Sequence, residues 1–238
     1  MPCEIDRRLG PFKIKEIWCA DYVYDTPSID YVIFYQAKDK GQAQGFNCRE
    51  ITTVYLDLSP DLNTLYENID SRFRKDIRRA IRYGIKVYVD YGYEDFMKLA
   101  QEFHDVKGLP RSLIPTVDFM KKTGKLFTAY FDGKILAGQF YMECYPTFLY
   151  HTAVRKITKI PSENQLVGMA TRLLVWEAIK YAKERGFMEL DFGGTSPELN
   201  STIDKFKLKF GSKSRVKYNC KKAYNPLFKA YLFIKSLI

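Results

Sequence analysis

No apolar run in this chain approaches the roughly 20 residues that a helix needs to cross a bilayer. The opening residues, Met1-Pro2-Cys3-Glu4-Ile5-Asp6-Arg7-Arg8, are charged where a signal peptide would be apolar. Neither a membrane-spanning nor an exported protein is expected. Cysteine is sparse: Cys3, Cys19, Cys48, Cys144 and Cys220 are odd in number and scattered, and no pair has metal-ligand spacing. The expectation is a reduced, cytoplasmic protein with buried or incidental thiols and no metal. The marks of disorder are missing as well. With 46% hydrophobic and 28% charged residues, a chain of 238 can bury one sizeable core or two small ones.

Acidic residues are nearly absent from two segments. Arg72 to Lys86 carries seven cations against Asp76 alone, and Asn200 to Ile238 carries ten against Asp204 alone. Together they exceed the net charge of +10, so the remainder is acidic. Focused positive charge suits a polyanionic partner: RNA, an anionic cofactor or a phospholipid surface. Two solvated basic faces would give the same count.

Patterning places strands over Ile14 to Tyr24, Tyr31 to Ala37 and Thr52 to Leu58. A helical stretch, Leu62 to Tyr83, breaks near Asp70-Ser71 and stops at Gly84; Arg74, Arg78 and Arg82 recur every four residues and stack into a stripe. After a strand over Ile85 to Val89 come helices over Tyr93 to Val106 and Pro115 to Thr123. Asp132-Gly133 and Tyr145-Pro146 then turn a three-stranded meander ending at Val154. Ser162 to Arg185 is the longest helix, with a Ser162/Gln165 capping box and a buried stripe of Leu166, Met169, Ala170, Leu173, Leu174 and Ala178. Strands over Met188 to Phe192 and Ser214 to Tyr224 follow. The fold class is α+β, a mixed and mostly antiparallel sheet with helices on both faces. Residues 1–84 are expected to form a strand-rich extension ending in the Arg-rich helix, and residues 85–238 the core.

Two motifs stand out. Gln165-Leu166-Val167-Gly168-Met169-Ala170 has small residues that would let helix amides approach a phosphate. Asp191-Phe192-Gly193-Gly194, followed by Phe206-Lys207-Leu208-Lys209-Phe210-Gly211, sets a carboxylate, two permissive glycines and a lysine between aromatics close together. If 205–211 is a short helix, at most one of Lys205, Lys207 and Lys209 points inward. Asp191 reads equally as a turn carboxylate.

The element order resembles that of the acyl-CoA N-acyltransferases (GNAT), and Gln165–Ala170 is similar to their pyrophosphate loop. The run Ser71-Arg72-Phe73-Arg74-Lys75-Asp76-Ile77-Arg78-Arg79-Ala80-Ile81-Arg82-Tyr83-Gly84, with Asp191-x-Gly193-Gly194 and Phe206-Lys207-x-x-Phe210-Gly211, resembles the FemAB-type branch, the peptidoglycan-bridge aminoacyltransferases. The likeness runs from about Thr52 to Gly211. It implies transfer of an activated acyl group to an amine acceptor, a cell-wall precursor peptide in the bridge-forming members, with no tightly bound cofactor. The chain is shorter than those members, holding one full GNAT-like core and a partial N-terminal one, which leaves acyl-CoA beside aminoacyl-tRNA as donor.

By position the resemblance implies that Lys207 meets charge on the tetrahedral intermediate or leaving group. It implies further that Asp191 positions or deprotonates the amine, that Phe206, Gly193 and Gly194 line the channel, and that Gln165, Val167, Gly168, Met169 and Ala170 hold the donor. Tyr150 and Glu143 border the expected acyl slot, and His151 is a lone strand histidine nearby. An ordinary acetyl-CoA-dependent N-acetyltransferase and a non-catalytic RNA-binding module are the rival functions. Finally, the apolar, basic tail Pro226 to Ile238 (Leu227, Phe228, Tyr231, Leu232, Phe233, Ile234, Leu237 and Ile238 with Lys229 and Lys235) would either dock on its own domain or lie on the inner face of a membrane.

Overall fold

The computed structural model describes residues 3–41 and 44–235. Along the chain come β1 (Cys3–Leu9), β2 (Phe12–Trp18), β3 (Tyr31–Ala37), β4 (Asn47–Asp57), α1 (Leu62–Glu67), α2 (Ser71–Arg82), β5 (Lys86–Val89) and α3 (Tyr93–Lys107). There follow α4 (Val117–Thr123), β6 (Gly124–Phe131), β7 (Lys134–Cys144), β8 (Thr147–Arg155), α5 (Pro161–Glu184), β9 (Glu189–Gly194), α6 (Thr202–Leu208), β10 (Lys213–Ala223) and α7 (Pro226–Lys235). The chain divides into two compact units. One comprises Met1–Thr53, Gly194–Leu199 and Ser214–Ile238; the other comprises Val54–Gly193 and Asn200–Lys213. This division replaces the boundary expected after residue 84. β10 pairs antiparallel with β3, Lys221 opposite Ile33, so the end of the chain returns to the N-terminal strands. No local signal marks so distant a pairing.

In the first unit the strand order is β1-β2-β3-β10-β4, with β2 and β3 parallel from Ile14↔Tyr31 to Trp18↔Tyr35. Its core gathers Ile17, Val32, Phe34 and Ala37 around Cys220. β1 escaped the sequence reading because its residues are mostly polar and exposed. The strand expected over Ile14 to Tyr24 ends at Trp18, where Cys19 takes a positive φ of 58°. Cys48 and Cys220 form a disulfide, against the expectation of reduced thiols throughout. Their partnership follows from adjacent strands 172 residues apart in sequence, which spacing rules do not detect.

In the second unit the order is β4-β9-β8-β7-β6-β5, antiparallel from β5 to β8 and parallel between β8 and β9. Strand alternation sends β7 side chains to two different helical layers. Gln139 reaches α5, donating to the Thr171 carbonyl, whereas Phe140 meets Phe119 of α4. Helices on both faces are thus present as expected. The β6–β7 turn is Asp132-Gly133, both at positive φ as a tight hairpin requires. α5 begins with Pro161 at its first position after Ile160, so the Ser162/Gln165 capping box does not form. Its buried positions are Val167, Met169, Ala170, Leu173, Leu174, Val175, Ala178, Ile179 and Ala182, wider than one stripe because α5 packs on both the sheet and α2.

Gly138 fixes how closely α3 approaches the sheet: a Cβ there would lie 2.4 Å from the buried Phe96 ring. Gly138→Ala is expected to cost about 1–3 kcal/mol through overpacking, read as a lower chemical-denaturation midpoint. An unchanged midpoint would show that α3 can retreat freely.

Candidate active site

β9 enters its turn with Leu190, Asp191 and Phe192 all buried. Gly193 takes a φ of 76° and donates its N–H to Asp191 Oδ1 at 2.7 Å, so the carboxylate closes the turn that only a glycine accepts easily. Asp191 is 0% exposed. Gly194 belongs to the first unit. The pairing of β8 with β9 covers three residues, Thr147↔Glu189 to Leu149↔Asp191. Beyond it the rings of Tyr150 and Phe192 stand 6.0 Å apart.

α6 starts on a full capping box: Ser201 accepts from the Asp204 N–H, and Asp204 accepts from the Ser201 N–H. Lys207 lies three residues further on the same face, 6% exposed beside Asp204 at 2%, while Lys205 and Lys209 face solvent. One lysine of the three points inward, as the spacing required. Burial pushes the Lys207 ammonium below its ordinary value, and the Asp204 and Asp191 carboxylates pull in the opposite direction.

Aromatic rings extend from the lysine. Phe206 and Phe210 stand 5.3 Å apart, each packs on Phe73 of α2 (5.5 and 5.3 Å), and Phe210 stacks on Phe192 at 5.8 Å. Tyr150 thus joins the cluster through Phe192. Burial raises its phenol well above the ordinary range, so the hydroxyl stays protonated and can donate a hydrogen bond.

Phe73 also touches a second feature, through Arg172. Arg172 of α5 lies over its ring at 4.4 Å, 3.4 Å from Asp76 of α2, and donates to the Gly168 carbonyl at 2.6 Å. This guanidinium borders a cavity of about 910 Å³ that is also lined by Arg72, Lys75, Arg78, Arg79 and Arg155, with Asp76 the one acid. Burial lowers the Arg172 pKa; Asp76 opposes that, and repulsion from Arg72 and Arg155 adds to it. Cations crowded without matching carboxylates make a receptor for a multiply charged anion.

The motif Gln165–Ala170 takes a different place from the one expected. These residues lie inside α5, past its first turn, so their amides serve the helix and do not form a phosphate loop. Val167, Met169 and Ala170 are buried, though Gln165, Gly168 and Met169 do border the cavity. Gly168 has its own reason: a Cβ there would lie 2.9 Å from Arg172 Nη1, so its smallness makes room for the guanidinium. Glu143 accepts the Tyr181 hydroxyl at 3.1 Å, in another cluster. His151 packs on Phe119 and Phe140, on the α4 side of β8, away from Tyr150.

Of the 74/78/82 stripe only Arg78 lines the cavity, and sequence reasoning, which counted Arg72, Lys75 and Arg79 in the basic segment, did not place them on the same face. Their i, i+3, i+7 spacing was the available signal. Arg155, Arg172 and Asp204 carried none.

A lysine depressed below 10.5 in the folded state holds fewer protons than in the unfolded chain, so folding stability rises with pH across that window. In denaturation series from neutrality towards pH 10.5, the wild type is expected to gain on Lys207→Met as pH rises. A pH-independent difference would overturn the assignment of Lys207 as a buried, desolvated amine.

No protein-family model matches the chain, and no curated protein matches it in sequence. Among solved structures, FemX superposes with a TM-score of 0.67 at 13% identity, over 95% of this chain and 85% of FemX. The C-terminal domain of a protein assigned as a lysylphosphatidylglycerol synthetase of Agrobacterium fabrum gives 0.58 at 13%, over 98% and 84%. L-PGS from Bacillus licheniformis gives 0.57 at 15%, over 99% and 85%. Identities this low carry the likeness of fold and nothing finer. In architecture, then, the chain shares the fold of FemX and of these two further structures.

Proposed function

We propose that the protein transfers an aminoacyl group from aminoacyl-tRNA to an amine acceptor. The observation that carries the reading is the buried Lys207, flanked by two carboxylates, together with a strongly cationic cavity whose Arg172 lies over the same Phe73 ring that packs on Phe206. A neutral acceptor amine attacks the ester carbonyl, forming a C–N bond and an oxyanion that Lys207 stabilises. Collapse breaks the C–O bond of the ester. The proton shed by the amine ends on the ribose hydroxyl, with Asp191 holding the amine and Tyr150 positioned to donate a hydrogen bond. Phe206 lines the channel.

The cavity favours one donor over the other. An acyl-CoA-dependent enzyme would use free amides at the helix start for the pyrophosphate, and the amides of Gln165–Ala170 are taken inside α5. Six basic side chains suit the run of phosphates in an RNA acceptor arm better. A cell-wall precursor peptide, the acceptor of the bridge-forming family members, is the acceptor class to try first.

Purified protein incubated with radiolabelled aminoacyl-tRNA and a peptidoglycan-precursor pentapeptide is expected to transfer label, with acetyl-CoA a poor donor. Lys207→Met should keep its fold by circular dichroism and lose about 100- to 1,000-fold in turnover. Turnover at the wild-type rate in that variant would remove Lys207 from the chemistry, and RNA affinity without transfer would favour the RNA-binding module. In tRNA binding, Arg72→Ala and Arg79→Ala should each weaken affinity and lower the slope of log K against log salt by about 1. Unchanged slopes would dissociate the cavity from the RNA.

A further inference from the structure

The cationic cavity has two unlike walls. α2 supplies Arg72, Lys75, Arg78 and Arg79, whereas α5 supplies Asn164 and Gln165 one turn ahead of Gly168 and two ahead of Arg172. Asn164, Gly168 and Arg172 recur every four residues, so the two amides share a helix face with the guanidinium. Both amide side chains are exposed, and neither makes a hydrogen bond or ion pair among the described residues. Helix formation gives no reason for them. Asparagine is a poor helix former, and α5 starts without any side-chain cap, so Asn164 performs no capping.

The two walls call for different chemistry. The cations of α2 run from Arg72 to Arg79, about 10 Å along the helix axis, which exceeds one phosphate group and suits consecutive phosphates of a strand. The amides gain little from phosphate that a cation would not give better. Each carries a carbonyl acceptor beside an NH2 donor, and that pair matches the N6–H and N7 edge of adenine. Guanine offers two acceptors on this edge, cytosine one donor and uracil one acceptor, so each leaves part of the amide unmatched. At about 910 Å³ the cavity has room for a base beside its phosphates.

We propose that Asn164 and Gln165 are specificity-determining residues that read an adenine of the bound RNA, while its phosphates lie along α2. Phosphate contacts position a strand without reading its sequence, so the amides of α5 add a base preference that the cations cannot supply. The proposal rests on the reading of this cavity as an RNA site and extends it from charge to sequence.

The test is fluorescence-anisotropy binding of the full chain to four labelled RNA oligonucleotides of equal length, built of A, C, G or U alone. The wild type is expected to hold oligo-A about tenfold more tightly than the other three. Asn164→Ala/Gln165→Ala should bring the four within about twofold and leave the slope of log K against log salt unchanged. Arg78→Ala should do the reverse, lowering the slope by about 1 and keeping the preference for A. Alanine favours the helix, so the double variant should retain its circular dichroism signal; Gln165→Ala alone is the check should it not. The proposal is overturned if no oligonucleotide binds, if the wild type binds all four alike, or if the folded double variant keeps the preference. It is overturned equally if ADP binds as tightly as oligo-A, which would give the adenine to a free nucleotide. Base preference without aminoacyl transfer would sink the transfer reading alone, and transfer with equal binding of the four would sink this one alone.

Discussion

The second unit depends on how one guanidinium is accommodated. Arg172 leaves the sheet-facing helix α5 and is held by the ring of Phe73, the carboxylate of Asp76 and the carbonyl of Gly168. Two of these partners lie on α2, so the contact clamps the basic helix to the long one. A half-buried charge is costly to desolvate, and Asp76 compensates it only in part while Arg72 and Arg155 repel it. The cavity is therefore electrostatically unfinished as built. Its charges make sense when an anion completes them.

Lys207 faces a related conflict with a different resolution. It gives up hydration and regains two carboxylates, Asp204 by the geometry of a capping box and Asp191 by the turn of β9. The same carboxylates that stabilise those backbone ends also tune the amine. The hydrogen bond from Gly193 shows Asp191 as a turn carboxylate, and the same group acts on the buried amine.

Much of the second unit was legible in the sequence because its signals are local. The Asp-Gly turn, the helix stops at Gly84 and Gly186 and the inward lysine of 205–209 each follow from a few adjacent residues. What escaped was long-range. The return of β10 to β3, the Cys48–Cys220 bond and the convergence of Arg155 and Arg172 on α2 join residues far apart in the chain. The motif around Gly168 misled for a physical reason: a small residue inside a helix serves a neighbouring side chain as readily as it serves a ligand. Periodicity was a partial guide, since of the regular set at 74, 78 and 82 only Arg78 lines the cavity, beside Arg72, Lys75 and Arg79.

Phe73 has one more consequence. The N–H of Asp70, which caps its helix, bonds the carbonyl of Lys209 at 2.8 Å, and the ring itself lies against Phe206 and Phe210. The end of the lysine helix and the start of the basic helix are thus stitched together by backbone as well as by packing. An aromatic ring gripped from both sides cannot stretch, so it acts as a gauge block that fixes the distance between the start of α2 and the end of α6.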